Sequence, residues 1–561
     1  MKLRKFLSVG LVSMMVLTAI GCGTSSTTGD SGDTVTTADA NSGSGDLDSE
    51  VWNEELYQEI VKKVNENMPT FNGESKYTVT DEKYEEYIKV ITEEYYTHED
   101  QEYLLSLGDG LKDFLKSDVK EDKTYTSKSL IQNTQEVTYY GDAIQKAIDE
   151  ATENGGGTVV ISGSGDEKNP KVYYTGALEL KSNVELNLEK GAELKFVRNK
   201  SNDYYPVVYT RWEGVEMMNY SPFIYAYEAE NIAITGEGVL DGQADEFNWM
   251  PWKYGYFNEA DQADERGRLF ELGQNEADVE TERIFTDETS TLRPPFIQPY
   301  KSTNILIEGI TIKNSPFWEV NPVLCENVKV DGITIDTNLY NNDGVDPESS
   351  KNVLIENSSF NTGDDCIAIK SGRNNDGRRV NVPSENIVVR NNEFANGHGG
   401  ITVGSEISGS VKNVLATDNY FDSEELDYPI RFKTNAERGG VIENIYITNS
   451  TVKKSKKAVI HCDFFYEEGE EGDHTPTLRN VYLSNIKTVD GASIDATNTL
   501  YLKGFENSPI ENIVLQNVEL NGTKGGAELQ NVKGLTYKNV TIDGEKLEDK
   551  TIDVDNDGNE S

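Results

Sequence analysis

Cysteine is scarce in this chain of 561 residues: Cys22, Cys325, Cys366 and Cys462 are the full set. Their spacing offers no zinc site, and so few cannot build a disulfide framework. Cationic residues are also short, 52 Lys and Arg against 98 Asp and Glu, for a net charge of −46. That balance argues against a nucleic-acid partner, because such binding rests on neutralising phosphates. The negative charge instead keeps the chain well hydrated and soluble. Long apolar runs are missing too. Phe6–Ile20 is too short to span a bilayer as a lone helix. Between the strand-like segments described below there is no helix-period pattern, which excludes a βαβ sheet.

The short apolar run has another use. Lys2, Arg4 and Lys5 precede it and Ala19-Ile20-Gly21-Cys22 ends it. This resembles a bacterial lipoprotein signal over residues 1–22, with Cys22 as the lipidated first residue of the mature chain. Ala19 stands where Leu is usual, so ordinary cleavage and free secretion is the alternative. The expectation is an extracellular, cell-surface protein of a bacterium, a monomer that meets the membrane only through that lipid. Residues 23–50 are Ser, Thr, Gly and Asp, a tether with no core. Residues 51–135 read as a small acidic helical module. Trp52, Leu56, Ile60, Val64 and Met68 fall at helical spacing; so do Tyr84, Ile88, Ile91 and Tyr95, then Leu104, Leu107, Leu111 and Phe114–Leu115. Such stripes are more often core than ligand site.

From about residue 136 to residue 545 the chain repeats itself. An Asn opens a run of alternating apolar residues, and a second β-rich run follows. The copies begin at Asn304, Asn327, Asn352, Asn386, Asn413, Asn444, Asn480 and Asn512, at intervals of 23, 25, 34, 27, 31, 36 and 32 residues. An earlier copy begins at Asn231, and a degenerate one spans Leu535–Ile542. Period-2 alternation rich in Ile, Val and Thr means strands. Repeated short strands with variable loops predict an all-β fold, a parallel β-helix in which each coil buries its apolar side chains against its neighbours. The repeated Asn would then form a ladder at one corner. An antiparallel sandwich with Asn in its turns is the alternative, but hairpins do not recur at so long an interval. Upstream, Gly141–Ile161 predicts a helix capped by Asp142, with Ile144, Ala147, Ile148 and Ala151 on one face, laid over the open first coil. A long insertion from Gly242 to Arg293 is expected to be functional. Residues 546–561 read as a frayed acidic tail.

Four polar groups recur at coil-like intervals: Asn341–Asp346 (NNDGVD), Gly363–Cys366 (GDDC), Gly397–Gly399 (GHG) and Arg431–Lys433 (RFK). Asp343 to Asp364 is 21 positions; Asp365 to His398 and His398 to Arg431 are 33 each. On adjacent coils the three Asp crowd together, so at least one pKa must rise. A carboxyl kept protonated is a general acid and its ionised neighbours are bases, the pairing used in glycoside hydrolysis. His398 is placed to hold a carboxyl's protonation state. Arg431 and Lys433 share one strand face and suit a substrate bearing carboxylates. Taken singly, each Asp is more often turn chemistry than function, and a calcium site is the lesser alternative for the three together. Lys370, Arg373, Arg378, Arg379, Lys453, Lys454, Lys456 and Lys457 read individually as solvated turn residues.

Together, in this order, the four motifs resemble the polygalacturonases, glycoside hydrolase family 28, over roughly residues 141–543. The resemblance implies a right-handed parallel β-helix and hydrolysis, with inversion and without metal or other cofactor, of α-1,4-galacturonosyl bonds in pectin. It implies Asp364 as general acid, Asp343 and Asp365 as water-activating carboxylates and His398 as support for the acid. It also implies Arg431 and Lys433 on the galacturonate carboxylate, Asn341 ordering the first motif at the substrate site, and Tyr466 beside the substrate. Asn342 and Phe432 depart from the residues common at those middle positions. Cys366 has no cysteine on the next coil to pair with. The expected partner is a pectic polysaccharide or oligogalacturonide, cut by exo action if the insertion and the loop Asp463–His474 wall off the cleft. A related polymer (rhamnogalacturonan or xylogalacturonan), a calcium-dependent pectate lyase and a non-catalytic polysaccharide-binding β-helix are the alternatives.

Overall fold

The computed structural model describes residues 51–71, 73, 75–98, 106, 130–255, 260–286 and 290–561. The leader, Cys22, the tether and the apolar positions Leu104–Leu115 lie outside the described residues. The alternating segments are strands. Each pairs in parallel with its counterpart one repeat later: Glu326–Asp331 with Lys351–Glu356, then Ser384–Arg390, then Val411–Thr417, then Val441–Thr448. The chain is a parallel β-helix.

Three sheets run along it. The first extends from Gly157–Ile161 to Val532–Ile542. The second begins at Lys171–Thr175 and reaches Lys487–Thr488. The third runs from Leu178–Glu179 through Ile224–Tyr227 and Ile297–Tyr300, continues as single bridges at Val320 and Val345, and widens again from Ile367–Ile369 to Gly525–Gln530. Like residues stack because the register repeats. Val328, Val353, Ile387, Val414, Ile445 and Val481 form one buried column. Each such side chain contributes about 1.5–3 kcal/mol of burial energy. Phe360, Phe394 and Phe421 stack at 5.4 and 4.8 Å.

The Asn ladder is present. From Asn231 to Asn512 each copy's Nδ2 donates to the Oδ1 of the one before, at 2.9–3.2 Å. Each has φ between +53° and +60°. Asn tolerates this left-handed conformation better than most residues, and its amide both donates and accepts along the ladder.

The ends differ in part from the sequence expectation. Helix α1 (Glu54–Asn67) forms as the spacing predicts and buries Ile60 and Val64. It lies across the first sheet, against strands Glu326–Asp331, Lys351–Glu356 and Ser384–Arg390, with Lys63 3.2 Å from Glu326 and Arg390 Nη1 donating to Tyr57 Oη (2.7 Å). The helical reading of Tyr84–Tyr95 does not hold. Glu82–Tyr87 is a single 3₁₀ stretch, and Lys89–His98 is a strand paired antiparallel with Leu130–Tyr139. The strand is rich in Val, Ile, Thr and Tyr, residues of high β propensity, and the hairpin partner decides it. Helix α2 (Gly141–Glu153) covers the first coil with Ile144, Ala147, Ile148 and Ala151 buried. Its cap position is Tyr140, without a side-chain bond, so Asp142 sits in the first turn rather than capping it. The C-terminal residues are not frayed: Lys550–Val554 pairs antiparallel along Val532–Ile542 and covers the last edge.

Excursions stand over the third sheet. A hairpin, Val207–Trp212 with Val215–Tyr220, is joined by Ile284–Phe285. The insertion holds α3 (Pro251–Tyr254) and α4 (Gln262–Gln274), and α5 (Asn374–Val380) follows the third-sheet strand Ile367–Ile369. Trp212, Val215, Met217, Leu269, Phe285, Leu292, Phe317 and Trp318 form a second apolar core beneath them.

Candidate active site

The four motifs lie beside or on the third sheet on successive coils, stitched by backbone bonds. Gly344 N donates to Asp365 O (3.0 Å), Cys366 N to Gly399 O (2.7 Å), His398 N to Asp364 O (2.9 Å) and Tyr428 N to His398 O (3.1 Å). Arg431 pairs with Thr402 and Lys433 with Gly404. Ile430 and Phe432 are buried in the core, and alternation turns the two cations outward. Glycine is required at 399, where a Cβ would lie 2.7 Å from Asp365 Oδ1.

The structure brings together Asp343, Asp364, Asp365, His398, Arg431, Lys433 and Tyr466. The three carboxyls each place an oxygen within 4.8 Å of the others. His398 Nδ1 lies 3.0 Å from Asp364 Oδ1. Arg431 Nη1 donates to Asp365 Oδ1 (3.0 Å), and Lys433 Nζ is 2.7 Å from Asp365 Oδ2. The Tyr466 ring faces Lys433 at 5.3 Å and Arg431 at 5.7 Å. The Oδ1 of Asn341 accepts from Arg293 Nη2 (2.8 Å). Cys325, Cys366 and Cys462 are free and buried.

Charge is divided unequally among the carboxyls. Burial pushes Asp343 up to about 7, reinforced by the Asp364 and Asp365 charges and opposed by Lys370. Burial disfavours ionised Asp365, but Lys433 and Arg431 hold it low. Burial likewise opposes ionised Asp364, yet the charge and hydrogen bond of His398, then Lys433 and Arg431, hold it well below the usual range. Asp364 in turn raises His398. Without substrate, Asp343 is thus the one of the three whose pKa is raised, and Asp364 is held ionised beside His398. Asp364 is also the most accessible of the three, its side chain 18% exposed against 5% for Asp343 and 0% for Asp365.

Two cations read from sequence as solvated are buried here. Lys370 Nζ lies 3.2 Å from Asp343, 3.7 Å from Asp346 and 3.4 Å from Glu406, and 4.4 Å from the Trp318 ring centre. Arg373 Nη1 donates to Glu406 (3.1 Å). Alternation along the strand puts Lys370 on the same outward face as Ala368, but what covers that face is set by distant excursions. Asp346 is fully buried; it shares the first motif, and only its distance from Lys370 marks it. The carboxyl trio is tight enough to grip a metal ion. Lys370, His398, Arg431 and Lys433 already meet its oxygens, which makes a divalent cation an electrostatically poor occupant.

Comparison with known proteins agrees with this geometry. The model of glycosyl hydrolases family 28 matches residues 273–543. An endo-polygalacturonase of Pectobacterium carotovorum subsp. carotovorum is 30% identical over 386 residues, 67% of this chain and 83% of that protein. An exo-poly-alpha-D-galacturonosidase of Dickeya chrysanthemi is 27% identical over 486 residues, 75% of this chain and 76% of that protein. The crystal structure of a hyperthermoactive exopolygalacturonase from Thermotoga maritima superposes with a TM-score of 0.72 at 32% identity, covering 89% of this chain and 98% of that one. With the β-helix, the stacked carboxyls and these likenesses together, the chain belongs to glycosyl hydrolases family 28.

Proposed function

We propose that this enzyme hydrolyses the α-1,4-galacturonosyl bonds of polygalacturonate from a chain end. The observation that carries the chemistry is the accessible Asp364, backed by His398 and flanked by two ion-paired, buried Asp. An acid must touch the leaving oxygen, and Asp364 is the most exposed of the three carboxyls. In the complex, Asp364 and His398 hold one proton between them, and Asp364 delivers it as the bond breaks. Asp343 and Asp365 hold the water that attacks the anomeric carbon. Arg431 and Lys433 neutralise the galacturonate carboxylate, with Tyr466 against the sugar.

The oxygens within 4.8 Å are closer than the roughly 6.5–9.5 Å usual between carboxyls of inverting enzymes. Inversion is nevertheless favoured here. A double displacement needs a free carboxylate nucleophile, and both oxygens of Asp365 are held by Arg431 and Lys433. Asp343 is tied to Lys370.

Exo action is supported by an ionic clasp beside the site. Glu213, at the hairpin turn, takes Arg266 of α4 at 2.6 Å. Arg373 reaches Glu467 at 3.5 Å, and Arg438 Nη2 donates to Glu467 at 2.8 Å. Separate excursions are thereby locked into one wall. The likenesses to exo-acting relatives support the same reading, and those to endo-acting ones support the reaction. Residues 19–22 support a cell-surface site of action, which incorporation of labelled lipid, lost in Cys22→Ser, tests.

The test of function is a time course of products from polygalacturonate with chelator present, for wild type and Asp364→Asn. One small saturated product from the start, absent in the variant, is expected; proton NMR should show it first as the β-anomer. A ladder of mixed oligomers overturns the exo reading alone. An unsaturated product, or no saturated reducing ends, overturns the polygalacturonase reading.

A further inference from the structure

Arg293 closes the insertion and is fully buried. Its guanidinium bonds in two directions. Toward the insertion, Nε donates to Gln262 Oε1 in α4 (2.8 Å) and Nη1 lies 3.5 Å from Met250 Sδ. Toward the β-helix, Nη1 donates to Pro316 O (2.7 Å) and Tyr340 O (3.0 Å), and Nη2 to Asn341 Oδ1 (2.8 Å). The guanidinium also sits 5.3 Å from the Phe317 ring centre.

Tyr340 and Asn341 lead directly into Asp343. Asn342 pins the same loop: its Nδ2 donates to Ser315 O (2.9 Å) and Phe317 O (3.1 Å), and its Oδ1 accepts from Leu339 N (2.7 Å). Asn341 itself has φ +58°, a left-handed conformation that Asn tolerates. Asn342 and Arg293 both tie the loop to the Ser315–Phe317 segment, and Arg293 carries the tie on to the insertion. A planar fork with five donors can bridge a side-chain amide and several carbonyls at once; an ammonium cannot.

We infer that Arg293 is a positioning residue through which the insertion holds the loop carrying Asp343. The element that shapes the cleft and the carboxylate that activates water are then set by one side chain. This rests on the water-activating role proposed for Asp343. Loss of the fork leaves Asp343 chemically intact but displaced, and small displacements of a reacting group are costly in rate.

The experiment compares Arg293→Lys, Gln262→Leu and the double variant of the full chain. Steady-state kinetics on polygalacturonate are run well below each variant's melting temperature, with folded content checked by circular dichroism. Gln262→Leu touches neither the loop nor the carboxyls and removes one bond to Arg293. It is expected to lower kcat at least about threefold with KM within about twofold; Arg293→Lys lowers kcat about 10–100-fold with the same KM, and the double variant is no worse than Arg293→Lys. Wild-type kcat in Gln262→Leu overturns the inference. So do single effects that multiply in the double variant, or a rise in KM with kcat intact. Asp343→Asn is run alongside. Full activity there would strike the proposed function itself, whatever the Arg293 variants show.

Discussion

Lys370 Nζ lies 3.2 Å from Asp343 Oδ2, with the two side chains only 2% and 5% exposed. The same ammonium also faces Asp346 and Glu406, so one cation offsets three buried carboxyls. Lys370→Met removes it. With the larger of the charges opposing burial gone, Asp343 titrates higher, and the acid limb of kcat/KM is expected to move up by at least about one pH unit. Breaking a buried pair also costs about 3–5 kcal/mol when the remaining partners are charged. The melting temperature should therefore fall more at pH 8 than at pH 5, where protonation relieves the carboxyls.

Asp343 also makes a prediction about stability without substrate. Its folded pKa is raised from the ordinary 3.8 to about 7. Below 3.8 the carboxyl is protonated in both states, and its contribution is fully present. As pH rises toward 7 the unfolded chain has lost the proton that the folded chain retains, so stability falls and is lost through the folded pKa. Asp343→Asn lacks this titration. Its melting temperature relative to wild type is expected to climb between pH 4 and 7 and then level off; a constant offset across that range would show that Asp343 is not raised.

The Asp364–His398 pair, 3.0 Å apart, predicts a graded loss. Asp364→Asn removes the acid, and kcat should drop by more than about 10³-fold; His398→Gln leaves the acid without its proton-holding partner, and about 10²-fold is expected. The alkaline limb carries more information. In wild type it reports loss of the proton shared with an imidazole whose pKa is raised. In His398→Gln it reports a lone carboxyl beside Lys433 and Arg431, and should move to lower pH. An unmoved limb would take His398 out of the acid's titration.

Arg431 and Lys433 predict selectivity. Arg431→Lys keeps the charge and loses the fork, so KM for polygalacturonate should rise about tenfold or more. On methyl-esterified pectin the carboxylate is gone, and wild type and variant should converge. Assays of both substrates with both enzymes check this. A loss that persists on the ester would place the role of Arg431 on Asp365 alone.

Much of this architecture is legible in the sequence because a β-helix writes its coils into it. Asn231 through Asn512 mark a left-handed turn and a ladder rung at once, so their recurrence reports both conformation and stacking. The site motifs inherit that register, and counting coils is enough to bring Asp343, Asp364, Asp365, His398 and Arg431 together. Lys370 and Arg373 are not legible as buried. Alternation says only that Lys370, at its strand's end, points outward, and Arg373 lies before α5, where the hairpin turn at Gly214 and Phe270 of the insertion, far away in sequence, cover it. Tyr84–Tyr95 misleads for a different reason: its four apolar positions spaced by four, three and four residues suit a helix, and the hairpin partner of Lys89–His98 begins at Leu130, beyond any local window. Arg293 carries no motif at all. Its role is read from what its guanidinium bonds on either hand, the insertion and the loop before Asp343.

Helix α1 has a consequence for how the coils come apart. In a stacked solenoid each coil is held mainly by its two neighbours, so fraying at one end can advance a coil at a time. This helix lies across three successive first-sheet strands. A load or a protease that loosened the coil of Glu326 would have to peel the helix from the coils of Lys351 and Ser384 as well. The middle of the molecule, where the carboxyls sit, is thereby made to open as a block or not at all.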